Sequence, residues 1–259
     1  MSELDPMGAG RHAAPVGAGA GQNAGPMERL AQEAERLEGR ILPPWLRPTN
    51  PENRLPVAAA IIAAVALQLA LPPKYGLHPR WLLPGLELLL LAILTALNPI
   101  RLTRRTRLGR YASFALVAAI TLDNGFSAGF LDYDILTGKA SGDATGLLAS
   151  GASIYLTNII AFGIWYWELE RGGPFARAAG QRRHPDFLFP QMTNPDLAPP
   201  HWAPHFLDYL YVSFTNVVAF SPTDTMPLSR WAKTLMTIQS MIALSTTALV
   251  IARAVNVLK

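Results

Sequence analysis

The residues of this chain that could do chemistry are few, and they sit in apolar company. Glu87 lies in LLPGLELLLL, Asp123 and Asn124 in AITLDNGF, and Asn158 in IYLTNIIAF. A carboxylate at mid-depth in a bilayer costs ~2.5–3.5 kcal/mol on insertion scales, so such groups face a bundle interior, where they pair or hold an ion or proton. Glu87 is only about two turns from the end of its apolar segment. It reads either as a partly snorkelled or structurally paired residue or as a proton or ion ligand. Asp123 beside Asn124 reads as a buried paired carboxylate or as a ligand along a cation path, and Asn158 needs a hydrogen-bond partner. A third group, Thr215, Asn216, Ala219, Phe220, Ser221, Pro222, Thr223 and Asp224, surrounds a tight turn. The long apolar segment after it carries Ser240, Ser245 and Thr246.

Enzyme chemistry finds little purchase. Five histidines are scattered through the chain, and Pro204 separates the one i, i+4 pair, His201 and His205, so no metal site is expected there. The chain has no cysteine, which excludes disulfides and thiolate sites. It has no phosphate-binding glycine loop and no Gly-x-Ser-x-Gly elbow. No catalytic residue, cofactor or metal is expected, and no partnership with nucleic acid.

The elements that must position these residues are membrane helices. Half the residues are hydrophobic, only 15% are charged, and the apolar residues come in blocks rather than on periodic faces. Residues 1–54 form the first region: a Gly-, Ala- and Pro-rich polar tail to residue 26, a helix-forming run from Met27 to Gly39, and a Pro-rich linker that carries Trp45 to headgroup level. No secretory signal is apparent, so the first apolar segment is expected to act as an uncleaved anchor. Residues 55–143 hold three spans, Leu55–Leu71, Trp81–Leu97 (interrupted by Pro84) and Tyr111–Leu136. Gln68 is expected at the interface, as are Asp132 and Asp134. Residues 144–259 hold a span over 145–167, a connector over 168–205, a short helix over 206–220 and a last helix over 228–258. Gly146, Ser150, Gly151 and Ser153 are small enough for close helix packing. Trp165, Tyr166 and Trp167 read as an aromatic belt at the membrane surface. The connector's Phe187, Phe189, Met192 and Trp202 either dock on that surface or cover the short helix.

A resemblance appears in the last 55 of the 259 residues. The stretch from His205 resembles the pore module of potassium channels, which comprises an outer helix, a pore helix and an inner helix. Ser213-Phe214-Thr215 falls on the family's Ser-Phe-Thr, Asp224 on the Asp that closes its Thr-Val-Gly-Tyr-Gly-Asp filter, and Pro227 on the Pro three residues later. Where the family has Thr-Val-Gly-Tyr-Gly, this chain has Ala219-Phe220-Ser221-Pro222-Thr223. Pro222 fixes φ, and no glycine is present to turn carbonyls toward an ion, so a potassium-selective ladder is not expected. The whole chain also resembles bacterial integral (inner-)membrane proteins with channel-like C-terminal ends and no assigned activity, through WYWELERGGP, PDFLFPQM and FSPTDTMPLSRWAK.

The resemblance implies an all-α, polytopic membrane protein of about five transmembrane helices plus a re-entrant pore-like helix. It further implies a homo-oligomer, a tetramer if channel-like, passing monovalent cations weakly or non-selectively through a ring of Asp224. A non-conducting scaffold that keeps the pore fold is the alternative, with Asp224 capping the following helix or pairing with Arg230. Charge complicates the orientation. Arg101, Arg104, Arg105, Arg107 and Arg110 make one loop cytoplasmic in the plasma membrane. Counting from it puts the connector inside too, whereas the channel family has it outside. Six crossings satisfy every charged loop; five plus a re-entrant segment satisfy the likeness.

Overall fold

Local signals place the helix ends. Thr106 accepts from the Gly109 amide at 3.0 Å to cap one long helix, Asp143 accepts from Thr145 and Gly146 at 3.0 Å each to cap the next, and Ser229 accepts from Ala232 at 3.4 Å to cap the last. Pro56, Pro174 and Pro190 occupy first-turn positions, where a missing N–H costs nothing. Pro84 does the same at the third residue of its helix, so it starts that segment rather than interrupting it. The resulting elements are α1 (Leu55–Ala70), α2 (Leu82–Leu97), α3 (Arg107–Leu136), α4 (Ala144–Leu169), α5 (Pro174–Ala178), β1 (Phe187–Leu188), α6 (Pro190–Thr193), α7 (Phe206–Val218), β2 (Met226–Pro227) and α8 (Arg230–Val257).

The structure, a computed structural model, describes residues 25, 27, 46–102, 106–140, 142–182, 184–194, 196, 198–199, 202–218 and 224–257. Contacts divide the chain after Ile41, and of the first unit only Gly25 and Met27 are among the described residues. The expected helix over Met27–Gly39, the placement of Trp45, and Ala219 to Thr223 therefore lie outside them, as do Arg104 and Arg105.

Within the second unit, α3, α4 (continued by a 3-10 turn, Glu170–Gly172) and α8 are long and apolar enough to cross a membrane. Helices α1 and α2 are apolar but shorter, 16 residues each. They form an antiparallel hairpin whose open end is tied by Arg54 N to Ile100 O (3.0 Å) and Leu102 N to Glu52 O (3.2 Å). Helix α4 is the hub. Gly151 faces Val250 of α8, where an added Cβ would lie 2.9 Å from a Val250 methyl. Gly163 faces Leu210 of α7, with an added Cβ 3.1 Å from the Leu210 Cα. Small residues at these two points let both helices approach closely.

Both α7 and α8 run antiparallel to α4. Phe206 meets Trp167, Leu210 meets Gly163 and Ser213 bonds to Ile159, so α7 starts at the C-terminal end of α4 and reaches its middle by Ser213. The chain then returns: β2 pairs with β1 in the register Phe187↔Pro227 and Leu188↔Met226, and Leu228 N donates to Asp186 O at 2.7 Å. From there α8 runs the length of α4, with Gln239 opposite Tyr166 and Val250 opposite Gly151.

Several expectations need correction. The described part of the 206–220 helix is Phe206–Val218, and the last helix begins at Arg230 rather than 228. The linker is not free: Thr49 N donates to Ala178 O, and Asn53 bridges to Arg101. Tyr166 and Trp167 face protein rather than a headgroup layer, at 0% and 4% exposure. Of the two places expected for the connector, it takes the one against the short helix: Phe187 and Phe189 pack on Tyr209 of α7, and with Met192 they are buried in the main core rather than docked on a surface. Gln68, expected at the interface, is buried.

Candidate functional site

Three helices bring the polar residues of the C-terminal region together. Gln239, fully buried on α8, lies at the centre. Its Nε2 donates to Ser213 O (3.1 Å) and Ser213 Oγ (2.7 Å); its Oε1 accepts from Tyr166 Oη (2.6 Å) and Asn216 Nδ2 (2.9 Å). Asn216 Nδ2 also lies within 3.0 Å of Met236 O and 3.1 Å of Ser240 Oγ. Ser213 Oγ donates to Ile159 O (2.7 Å), and Asn158 Nδ2 donates to Gln239 O (3.2 Å). Leaving any of these buried groups unpaired would cost about 1–3 kcal/mol, so the network fixes how α7 seats on α4 and α8. No group in it is a nucleophile with an adjacent base.

Of the expected pathway residues, Asn216 and Ser240 thus meet within the chain, and Asn158 finds its hydrogen-bond partner in Gln239 of the same network. Thr215 bonds back to its own helix, to Tyr211 O (3.0 Å) and Val212 O (3.1 Å). Ser245 is exposed and bonds to Ile242 O, while Thr246 is buried beside Asp132. Asp224 is exposed at the return. It does not cap α8, a role Ser229 fills, and among the described residues it forms no ion pair with Arg230.

A second polar group lies between α1, α2 and α3. Glu87 is fully buried and accepts from Gln68 Nε2 at 3.3 Å, so it does not snorkel. Asp123, 5% exposed, interacts with it electrostatically from α3. Asn124 is buried next to Asp123, and Ser127 lies one turn further along α3.

A third group, which sequence reasoning missed, locks the end where α7 and α8 begin. Arg177 on α5 donates to Glu52 from Nε (3.1 Å) and Nη2 (2.7 Å), and to the carbonyls of Trp167 and Glu170 from Nη1. Burial works against its charge, but Glu52 beside it more than offsets this and holds the guanidinium above its ordinary range. Trp167 Nε1 donates to the other Glu52 oxygen at 2.6 Å. The Glu170 carboxylate accepts from the Asp186 and Phe187 amides, and Asp186 accepts from Arg171 N and Trp231 Nε1 at 2.8 Å each. Arg171 holds φ 50°, a left-handed turn that aims its amide at Asp186. Among the described residues, no three His, Cys, Asp or Glu side chains are placed to hold a metal. The chain matches no family model, no curated protein and no solved structure.

Proposed function

We propose that the chain is a multi-pass membrane protein of the cell (plasma) membrane that crosses the bilayer five times, through α1–α4 and α8, with α7 as a re-entrant helix. Its C-terminal frame, α4 with α7 and α8, then forms the subunit of a weakly selective or non-selective cation pore. The observation that carries this reading is the excursion of α7. Its Ser213 reaches Ile159, midway along α4, and Met226 is back against Leu188 at the end where α7 began. A helix that enters the bilayer and returns to the side it came from is tolerated only where protein or water surrounds it. One copy cannot enclose a path. The exposed apolar faces of α7 (Leu207, Tyr211, Phe214) and α8 (Met241, Leu244, Ile251) offer contact to lipid or to further copies, and a tetramer would ring 219–224 around an axis.

Arg54, Arg101, Arg110 and Arg177 gather at the end where α7 enters, and the positive-inside rule makes that end cytoplasmic. The module is therefore inverted relative to potassium channels. Helices of 16 residues span about 24 Å, so α1 and α2 require local thinning of a ~30 Å core.

The second reading, a non-conducting scaffold, draws on the same contacts: Thr215 and Asn216 direct their side chains inward, not toward an axis. Flux of K⁺, Na⁺ and H⁺ through liposomes carrying the purified protein separates the two. Conduction supports the pore; its absence in a preparation shown to be tetrameric supports the scaffold.

A further inference from the structure

Two carboxylates, Glu87 and Asp123, are buried in the bundle, and neither is in an ion pair among the described residues. Glu87 is 0% exposed, its Oε1 is bonded to Gln68, and its Oε2 has no hydrogen-bond partner. Gln68 Oε1 and Ser127 Oγ, on α1 and α3, are also buried without partners. Asp123, on α3, interacts with Glu87 electrostatically. Among the described residues the ion pairs are Lys74–Asp134 and Arg177–Glu52, and neither includes Glu87 or Asp123. Arg80, on the loop joining α1 to α2, directs its guanidinium to the carbonyls of Leu69 and Leu71. Two buried like charges cannot both stay ionised in a low-dielectric interior, so a positive charge must be held there. Buried oxygens without partners are costly in a native fold and call for a ligand or a function.

We propose that Glu87, Gln68, Asp123 and Ser127 form a site for one small monovalent cation, a proton or Na⁺, buried between α1, α2 and α3. Glu87 is its primary acceptor: Gln68 Nε2 fixes one carboxylate oxygen and leaves Oε2 for the cation. Asp123 supplies the field that strengthens binding, and the amide and hydroxyl oxygens are hard ligands suited to either ion. This site lies in the N-terminal helices, apart from the α7 tip, and does not depend on whether 219–224 line a pore.

The test uses the full-length protein in detergent with dicyclohexylcarbodiimide, an apolar reagent that modifies protonated carboxyl groups, read by intact mass. One adduct is expected, located at Glu87 and absent from Glu87→Gln, a variant that keeps the shape and an acceptor oxygen. If the ligand is a proton, labelling falls as pH rises and ignores Na⁺. If it is Na⁺, labelling at fixed pH also falls as Na⁺ is added. In Asp123→Asn the dependence of labelling on pH or Na⁺ should change, because a negative charge that acts on the site is removed. The proposal is overturned by no adduct, by an adduct that persists in Glu87→Gln, or by labelling that responds to neither pH nor Na⁺. Flux is not the readout, so a negative result in liposomes leaves this test intact.

Discussion

Arg177 and Glu52, 125 residues apart in sequence, form a two-point ion pair at 2.7 and 3.1 Å with both side chains buried. The pair joins the segment before α1 to the helix after α4, and Trp167 completes it from α4. Removing one partner strands a buried charge, which costs about 3–5 kcal/mol. Arg177→Ala should therefore lower the melting temperature in detergent sharply and shift the protein toward the void volume on gel filtration. The double variant Glu52→Leu with Arg177→Met removes both charges at similar volume and should recover most of that loss. A double variant as unstable as the single would mean that the contacts of Arg177 with Trp167 O and Glu170 O, not the ion pair, hold this end.

Close approach of α4 and α8 rests on Gly151. A Cβ there would come within 2.9 Å of one Val250 methyl and 3.1 Å of the other. Gly151→Ala should cost about 1–3 kcal/mol through overpacking. Val250→Ala in the same chain should relieve most of it, although Val250→Ala alone leaves a small cavity and destabilises. Thermal unfolding of the four proteins measures the coupling, and additivity would show that the two residues do not press on each other.

Gln239 should matter more than Tyr166 to the placement of α7. Tyr166→Phe removes one donor to Gln239 Oε1, which still accepts from Asn216, and should cost about 0.5–1.5 kcal/mol. Gln239→Leu leaves the Tyr166 hydroxyl without its acceptor and removes the bridge from α8 to Ser213, at about 1–3 kcal/mol for each stranded buried group. With α7 released at its tip, protease should cut near 219–224 faster in Gln239→Leu than in Tyr166→Phe. Equal cutting rates would assign the anchoring of α7 to its apolar face instead.

Much of the helical layout is legible in the residues because apolar blocks and caps are local signals. Asp143 ahead of Thr145-Gly146 starts α4 in plain sight, and the shortness and polarity of 206–218 set α7 apart from the other helices. The partners of buried polar groups are not legible, because helix rotation decides them. Gln239 sits in an apolar run as Asn158 does, and the rule that singled out Asn158 would have found it. Tyr166 and Trp167 near a helix end look the same in sequence whether they meet headgroups or protein. Here Glu52 and Gln239 accept their polar atoms, which turns both rings inward. Arginines read as topology markers conceal Arg177, whose charge is consumed by an acid from the other end of the chain.

Asp224 separates the two functional readings by charge alone. It is exposed and does not cap α8, so Asp224→Asn should change stability by less than about 0.5 kcal/mol. In a tetrameric pore the same change removes four negative charges from the ring that attracts cations, and cation flux should fall severalfold while assembly is unchanged. Unaltered flux in an assembled variant would take Asp224 off the path.

The absence of native cysteine makes the course of α7 directly measurable. Single cysteines at Thr193 on the connector, Met226 on β2 and Lys139 between α3 and α4 are all exposed positions. Because β2 pairs with β1 a few residues before Thr193, Met226→Cys and Thr193→Cys should react with a membrane-impermeant maleimide from the same side of the bilayer. Lys139→Cys, at the far ends of α3 and α4, should react from the other side. If α7 instead crossed the bilayer completely, Met226 would label with Lys139. The strand pair Leu188↔Met226 could not then exist in the membrane, and the re-entrant helix on which the pore reading stands would be lost with it.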